Sequence, residues 1–360
     1  MTLHFEHVTL GQRVLFGSGD AATNLAKEIV RIGAERVMLI ASQYETELAA
    51  TVTTGIDVAL TYDNVVQHVP VEVAEDAIAA ADTHAIDLLV CVGGGSTTGL
   101  AKAIALRSGI PIVAVPTTYA GSEATNVWGL TEAARKTTGV DDAVLPVTVI
   151  YDASLTVSLP VEMSVASGLN ALAHCIDSMW SPRADPINQA LAAEGIRALN
   201  AALPLVQADP TGLEGREQAQ YGAYLSAVAF ASAGSGLHHK ICHVLGGAYD
   251  LPHAQTHSVV LPHVLAFNSA NAPEAERRIA AAFGAASAVE GLEALRQQLS
   301  APTALQDYGF REEDIPEAAR LILPAVPLSN PRPVTARNLE ELLRAAWEGV
   351  LAELQEGPVS

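Results

Sequence analysis

Up to about residue 152, short apolar runs alternate with stretches of helical period; beyond it the strand signals fade. That change of period constrains the fold more than any other feature. Val37–Ser42, Asp87–Gly95, Ile110–Thr118 and Val147–Asp152 are apolar runs of strand length. A helix-like stretch lies around Asn24–Ile32, and Val71–Ala81 sets apolar residues at helical spacing with acids on the other face. Apolar strands separated by helices predict a parallel sheet covered on both faces. In such sheets ligands bind at the carboxyl ends of the strands. After Asp152, the segments Asp185–Leu199, Glu274–Ala282 and Asn338–Trp347 predict helices, the last with Asn338 as its cap, and Pro324–Pro333 reads as a loop. The expected organisation is a dinucleotide-binding α/β domain over 1–152 and an all-helical domain over 153–360. The cleft between them is the expected site.

Composition excludes several classes of function. Apolar residues make up 49% of the 360, enough for a sizeable core. Twenty Lys and Arg stand against 40 acids, a formal charge of −20, which argues against a nucleic-acid partner. No run approaches the ~20 apolar residues of a membrane span, so no membrane partner is expected. The opening MTLHFEHVTL has neither the basic nor the apolar segment of a signal peptide, and a cytoplasmic location is expected. Cys91, Cys175 and Cys242 lack CxxC spacing and read as reduced thiols.

Two glycine-rich turns could hold phosphate. Gly93-Gly94-Gly95-Ser96 follows an apolar strand and precedes a helix-forming stretch, so backbone N–H groups and a helix N-terminus would meet a pyrophosphate there. The bland alternative is a tight strand-to-helix turn. Gly17-Ser18-Gly19 imitates a dinucleotide fingerprint, but Ser42 and Gln43 stand where the next strand should end on an acid, which weakens it. Pro116-Thr117-Thr118, followed by Tyr119, Gly121 and Ser122, offers hydroxyls at a strand end that suit a ribose or amide, or an ordinary turn.

The densest chemistry lies in the predicted helical domain. His239 and His243 are four apart and share a helix face, His253 follows ten residues later, and His174 sits four after Asn170. Together these four histidines suit a metal or acid–base site. His238, His257 and His263 read as structural. Of only four lysines, Lys102, Lys136 and Lys240 fall in or beside these segments, which suits an anionic substrate.

The order and spacing of Phe16–Gly19, Gly93–Ser96, Pro116–Glu123 and His239, His243, Pro252, His253 resemble the iron-containing alcohol dehydrogenase family over residues ~10–265. Within it, the stretches Gly93–Lys102, Pro116–Glu123 and Arg135–Gly139 are similar to the branch that reduces the C=C bond of maleylacetate to 3-oxoadipate. The resemblance implies the dehydroquinate synthase-like architecture, NADH or NADPH as cofactor, a small dicarboxylate substrate and a homodimer. It implies cofactor binding by Gly93, Gly94, Gly95, Ser96, Thr117, Thr118 and Lys136, with Ser42 where NAD-preferring members often carry Asp. His243, His253, His239 and His174 are the implied catalytic set; Lys240, Tyr119, Ser122 and Asn170 are the candidates for holding substrate. In metal-using members three histidines and an Asp hold the ion; here they are His174, His239, His253 and Asn170. An amide oxygen supplies a dipole where a carboxylate supplies a charge, so metal binding is expected to be weak. Gly99 also replaces a frequent Asp. The absence of an acid at Ser42 predicts tolerance of both NADH and NADPH. The competing expectations are a metal-dependent alcohol or aldehyde dehydrogenase of the same family, a dehydroquinate synthase-type lyase and a non-catalytic nucleotide-binding protein.

Overall fold

The computed structural model describes residues 4–132 and 135–351. Its first half alternates strands and helices: β1 (Arg13–Phe16), α1 (Ala21–Ile32), β2 (Val37–Ile40), α2 (Thr46–Val52), β3 (Val58–Tyr62), α3 (Val71–Thr83), β4 (Leu88–Gly93), α4 (Gly95–Ser108) and β5 (Ile112–Pro116). A hairpin of β6 (Val127–Glu132) and β7 (Arg135–Val140) precedes β8 (Thr148–Tyr151). Six strands form one parallel sheet in the order β1-β8-β5-β4-β2-β3. The four apolar runs of the sequence became β2, β4, β5 and β8, each buried along its length because helices cover both faces. The edge strand β3 and the antiparallel β6–β7 hairpin escaped the sequence reading. β3 is only half-buried and β6 likewise, so neither shows a continuous apolar run.

Among the described residues after Tyr151 every regular element is helical: α5 (Val161–Ser178), α6 (Pro186–Ala208), α7 (Leu213–Ala233), α8 (Leu237–Tyr249), α9 (His253–Ser269), α10 (Pro273–Phe283), α11 (Ala288–Gln298), α12 (Ile315–Ile322) and α13 (Ala336–Glu348). The α5–α6–α7 layer packs around Leu172, Ile176, Ile196 and Leu199. A second core joins α8, α9, α12 and α13 through Leu245, Val264, Ile322 and Leu343. The cap of α13 differs from the expectation at Asn338. Thr335 is the N-cap, accepting from the Asn338 N–H, while the Asn338 side chain accepts from the Thr335 N–H. The polar pair is reciprocal, and the hydroxyl takes the capping place because its residue is the extended one.

Candidate active site

The two glycine turns have different fates. At the start of α1, the Gly19 and Ala21 N–H groups donate to the Asp152 carboxylate at 2.9 and 3.1 Å. An internal anion thus fills the place a phosphate would take. At the start of α4 no acid occupies the first turn, and Gly94 is the N-cap. Gly93 adopts φ +153°, and a Cβ there would stand 2.6 Å from Glu45 Oε2. A Cβ on Gly94 would lie 3.0 Å from Thr118 Cγ2. The loop thus leaves no space for side chains at these glycines and leads into a helix N-terminus with no acid in its first turn, a place that suits a pyrophosphate.

A cavity of about 500 Å³ runs from Gly95, Ser96 and Thr118 past Ser122 to Asn170, His174, His243 and His253. A second, of about 360 Å³, shares His68, His243 and His253 with it. These three histidines border both cavities. His68 was missed by sequence reading. It and Val69 adopt φ +64° and +49°, a costly conformation for a β-branched residue. Thr131 holds the pair in place: its hydroxyl donates to His68 O at 2.8 Å and its N–H to Val69 O at 3.1 Å. A Cβ at Gly99 would lie 3.0 Å from Val69 Cγ2, so the Gly in place of Asp leaves room for this loop.

His174 lines the main cavity as well, and His238, His239 and His257 stand behind these residues. On α5, Asn170, His174 and Asp177 follow i, i+4, i+7 spacing and face α8. Asp177 is fully buried and accepts from His239 Nδ1 at 2.8 Å and the Gly236 N–H at 2.7 Å. Burial pushes the Asp177 carboxyl up to about 6, against the pull of its backbone donors. His174 and His239 stack at 4.9 Å between ring centroids, and Phe230 packs on both. His238 Nε2 and His257 Nδ1 are hydrogen-bonded at 2.9 Å. Burial pushes His174 down to about 4 and His238 to about 3, and drives His239 and His257 well below the ordinary histidine range. Neighbouring imidazoles add to the shift of the last three. These four rings are neutral at pH 7.

His243, His253, His174, Asn170, Ser122, Thr118, Gly95 and Ser96, all singled out in the sequence, line the cleft. His239 does not; it lies behind His174, orienting through Asp177. Tyr119 is corrected: it is fully buried, with its N–H on Ser167 Oγ and its hydroxyl accepting from the buried Arg216. Lys240 is corrected too. One residue on from His239 it turns about 100° round the helix, and it lines neither cavity. Lys102 borders the cleft, but its ammonium is engaged by Ser122 O, Thr125 O, Thr125 Oγ1 and Val127 O at 2.7–3.1 Å. Burial lowers it to about 7. It fastens the loop after β5 and offers no free charge to an anion. The Lys136 backbone pairs with Thr131, and its side chain lies outside the described residues. Ser42 and Thr117 both donate to Glu45, at 2.8 Å each.

The donor set fits a metal ion poorly. Among the described residues, the His, Cys or acidic donors gathered within 4.8 Å of one another belong to His238, Cys242 and His257, and two of those share a hydrogen bond. His174, His239 and His253 form no such group, and the fourth position is an uncharged amide. Asn170 Oδ1 and His239 Nε2 are buried without a partner.

Residues 11–153 match the iron-containing alcohol dehydrogenase family, and residues 164–347 match its C-terminal domain. The chain belongs to the iron-containing alcohol dehydrogenase family. It is 64% identical to an iron-containing alcohol dehydrogenase from Corynebacterium glutamicum of known crystal structure, covering 96% of this chain and 98% of that one at a TM-score of 0.95. A maleylacetate reductase from Pseudomonas sp. (strain P51) is 43% identical over 96% of this chain and 99% of its own length. The crystal structure of maleylacetate reductase from Agrobacterium tumefaciens superposes at a TM-score of 0.92 with 39% identity, covering 98% of this chain and all of that one. As a member of this family the chain is an oxidoreductase that uses a nicotinamide cofactor. No helix among the described residues is long and apolar enough to cross a membrane.

Proposed function

We propose that this oxidoreductase reduces the C=C bond of maleylacetate to 3-oxoadipate with NADH or NADPH. One observation carries the reading: near-full-length similarity to maleylacetate reductases coincides with a cleft lined by imidazole, hydroxyl and amide groups. The nicotinamide supplies a hydride to the alkene carbon β to the ketone. Electron density moves through the C=C bond to the ketone oxygen, giving an enolate. An enolate is a weaker base than a saturated alkoxide, so hydrogen-bond donors suffice to stabilise it. His243 and His253 reach the cleft from α8 and from the first residue of α9, and we assign them to this stabilisation and to protonation of the carbon next to the ketone. The sum is NADH, one proton and maleylacetate giving NAD⁺ and 3-oxoadipate.

The cation inventory supports that assignment. Among the described residues, the cavity lining holds no arginine and one lysine, which is already engaged. The dicarboxylate's charges therefore meet His68, His243 and His253, with Ser122, Thr118 and Asn170 as further partners. Because the donor set fits a metal poorly, no step is assigned to one. Gly93 to Ser96 would cradle the pyrophosphate, and Thr117 and Thr118 the ribose side. The family resemblance also supports a homodimer in the cytoplasm, which a sedimentation measurement tests for the dimer.

The test follows NADH oxidation with maleylacetate and with simple aldehydes, identifying the product. Formation of 3-oxoadipate with little aldehyde turnover supports the proposal. Aldehyde reduction without enone reduction overturns it in favour of an alcohol dehydrogenase.

A further inference from the structure

We propose that Glu45 reads the adenosine ribose of the cofactor and selects NADH over NADPH. In the strand order β1-β8-β5-β4-β2-β3, the chain moves from β2 outward to β3, and from β4 the other way to β5 and β8. The direction reverses between β2 and β4, and the crevice at such a reversal takes the nucleotide. Glu45 ends the short turn after β2, and the glycine loop ends β4. The main cavity runs from Gly95 and Ser96 to His243 and His253. With a pyrophosphate on the glycine loop, the nicotinamide end points into that cavity. The adenosine end then lies on the Gly93 side, where Glu45, Ser42 and Thr117 meet.

The carboxylate there is held in place. Its Oε1 accepts from Thr117 Oγ1 at 2.8 Å, and its Oε2 from Ser42 Oγ at 2.8 Å and Thr97 Oγ1 at 3.5 Å. Among the described residues, no ion pair engages it. A carboxylate has about four acceptor sites over its two oxygens, so capacity remains for a ribose 2′-hydroxyl. A 2′-phosphate, with a charge of about −2, would meet it as a like charge instead. The acid missing at Ser42 is thus supplied three residues later, which points to NADH where Ser42 alone pointed to either cofactor. The inference rests on the nicotinamide fold and is independent of which acceptor takes the hydride.

The test measures NADH and NADPH dissociation constants by fluorescence with no acceptor present, then kcat/KM for both with the acceptor that turns over. The wild-type protein is expected to favour NADH by about a hundredfold, and Glu45→Gln to gain at least about tenfold for NADPH while losing severalfold for NADH. Wild-type affinities within about threefold of each other, or a ratio unmoved in Glu45→Gln, would overturn the assignment. The binding measurement stands even if maleylacetate proves not to be the substrate. Circular dichroism of the nearly isosteric variant confirms that it folds.

Discussion

The cofactor cradle and the imidazole cluster are built in opposite ways. The cradle is local: Gly93 to Ser96 and Thr117 to Thr118 sit at the ends of adjacent strands, and a bare helix N-terminus does the rest. The cluster is assembled from α5, α8 and α9, and its second row is sealed from water. The difference separates two kinds of histidine. His174, His238, His239 and His257 are pushed neutral by burial, and of these only His174 touches the cleft, whereas His243 and His253 face the cleft and are the two to which we assign the chemistry. The same contrast appears between the two glycine turns, where Asp152 closes one helix N-terminus and the other is the one to which we assign the phosphate.

The sharpest break of this division would come from His243→Ala. Its kcat is expected to fall about a thousandfold while the NADH dissociation constant stays within about threefold. A near-normal kcat would move the chemistry to the buried row. Next in size is acid stability. The buried histidines have folded values below their unfolded value of 6.5, so their stabilisation is complete above pH ~6.5. It is lost as pH falls toward about 4 for His174 and about 3 for His238. Each contributes a loss of about 1 kcal/mol per pH unit in that window, so urea midpoints should drop steeply from pH 6.5 to 4. Asp177, raised to about 6, works the other way: its protonation below pH 6 favours the folded state. It is outnumbered by the histidines. A flat profile would mean the inner row is wetter than its packing.

On the cradle side, Gly94→Val adds bulk against Thr118 and should weaken cofactor binding by about tenfold to a hundredfold, read by NADH titration. The smallest effect is expected from Thr131→Val, which frees the His68 carbonyl from its hydroxyl strap. The KM for the dicarboxylate should rise about fivefold with NADH affinity unchanged. A shift in NADH affinity instead would assign His68 to the cradle.

What the sequence shows follows the same divide. The buried strands and the glycine loop were legible because apolar runs and strand-to-helix turns are contiguous. The four-residue spacing of His239 and His243 was equally plain. Lys240 and Tyr119 misled because residue type said nothing of direction: one turns off the histidine face of α8, and the other points into the core against Arg216. Glu45 and His68 were hidden for a related reason. His68 reaches the cleft and Glu45 the glycine loop, each from a turn where only backbone geometry brings the side chain in. Asp177 did carry a signal, three residues after His174 on one helix face, which sequence reasoning passed over.

The most direct test of histidine-based enolate chemistry is maleylacetate-dependent NADH oxidation by protein dialysed against chelator and assayed for residual metal. Rapid turnover at negligible metal content is the predicted result. Turnover that returns only when iron or zinc is restored would contradict the account, making His174, His239 and His253, with Asn170, ligands to an ion.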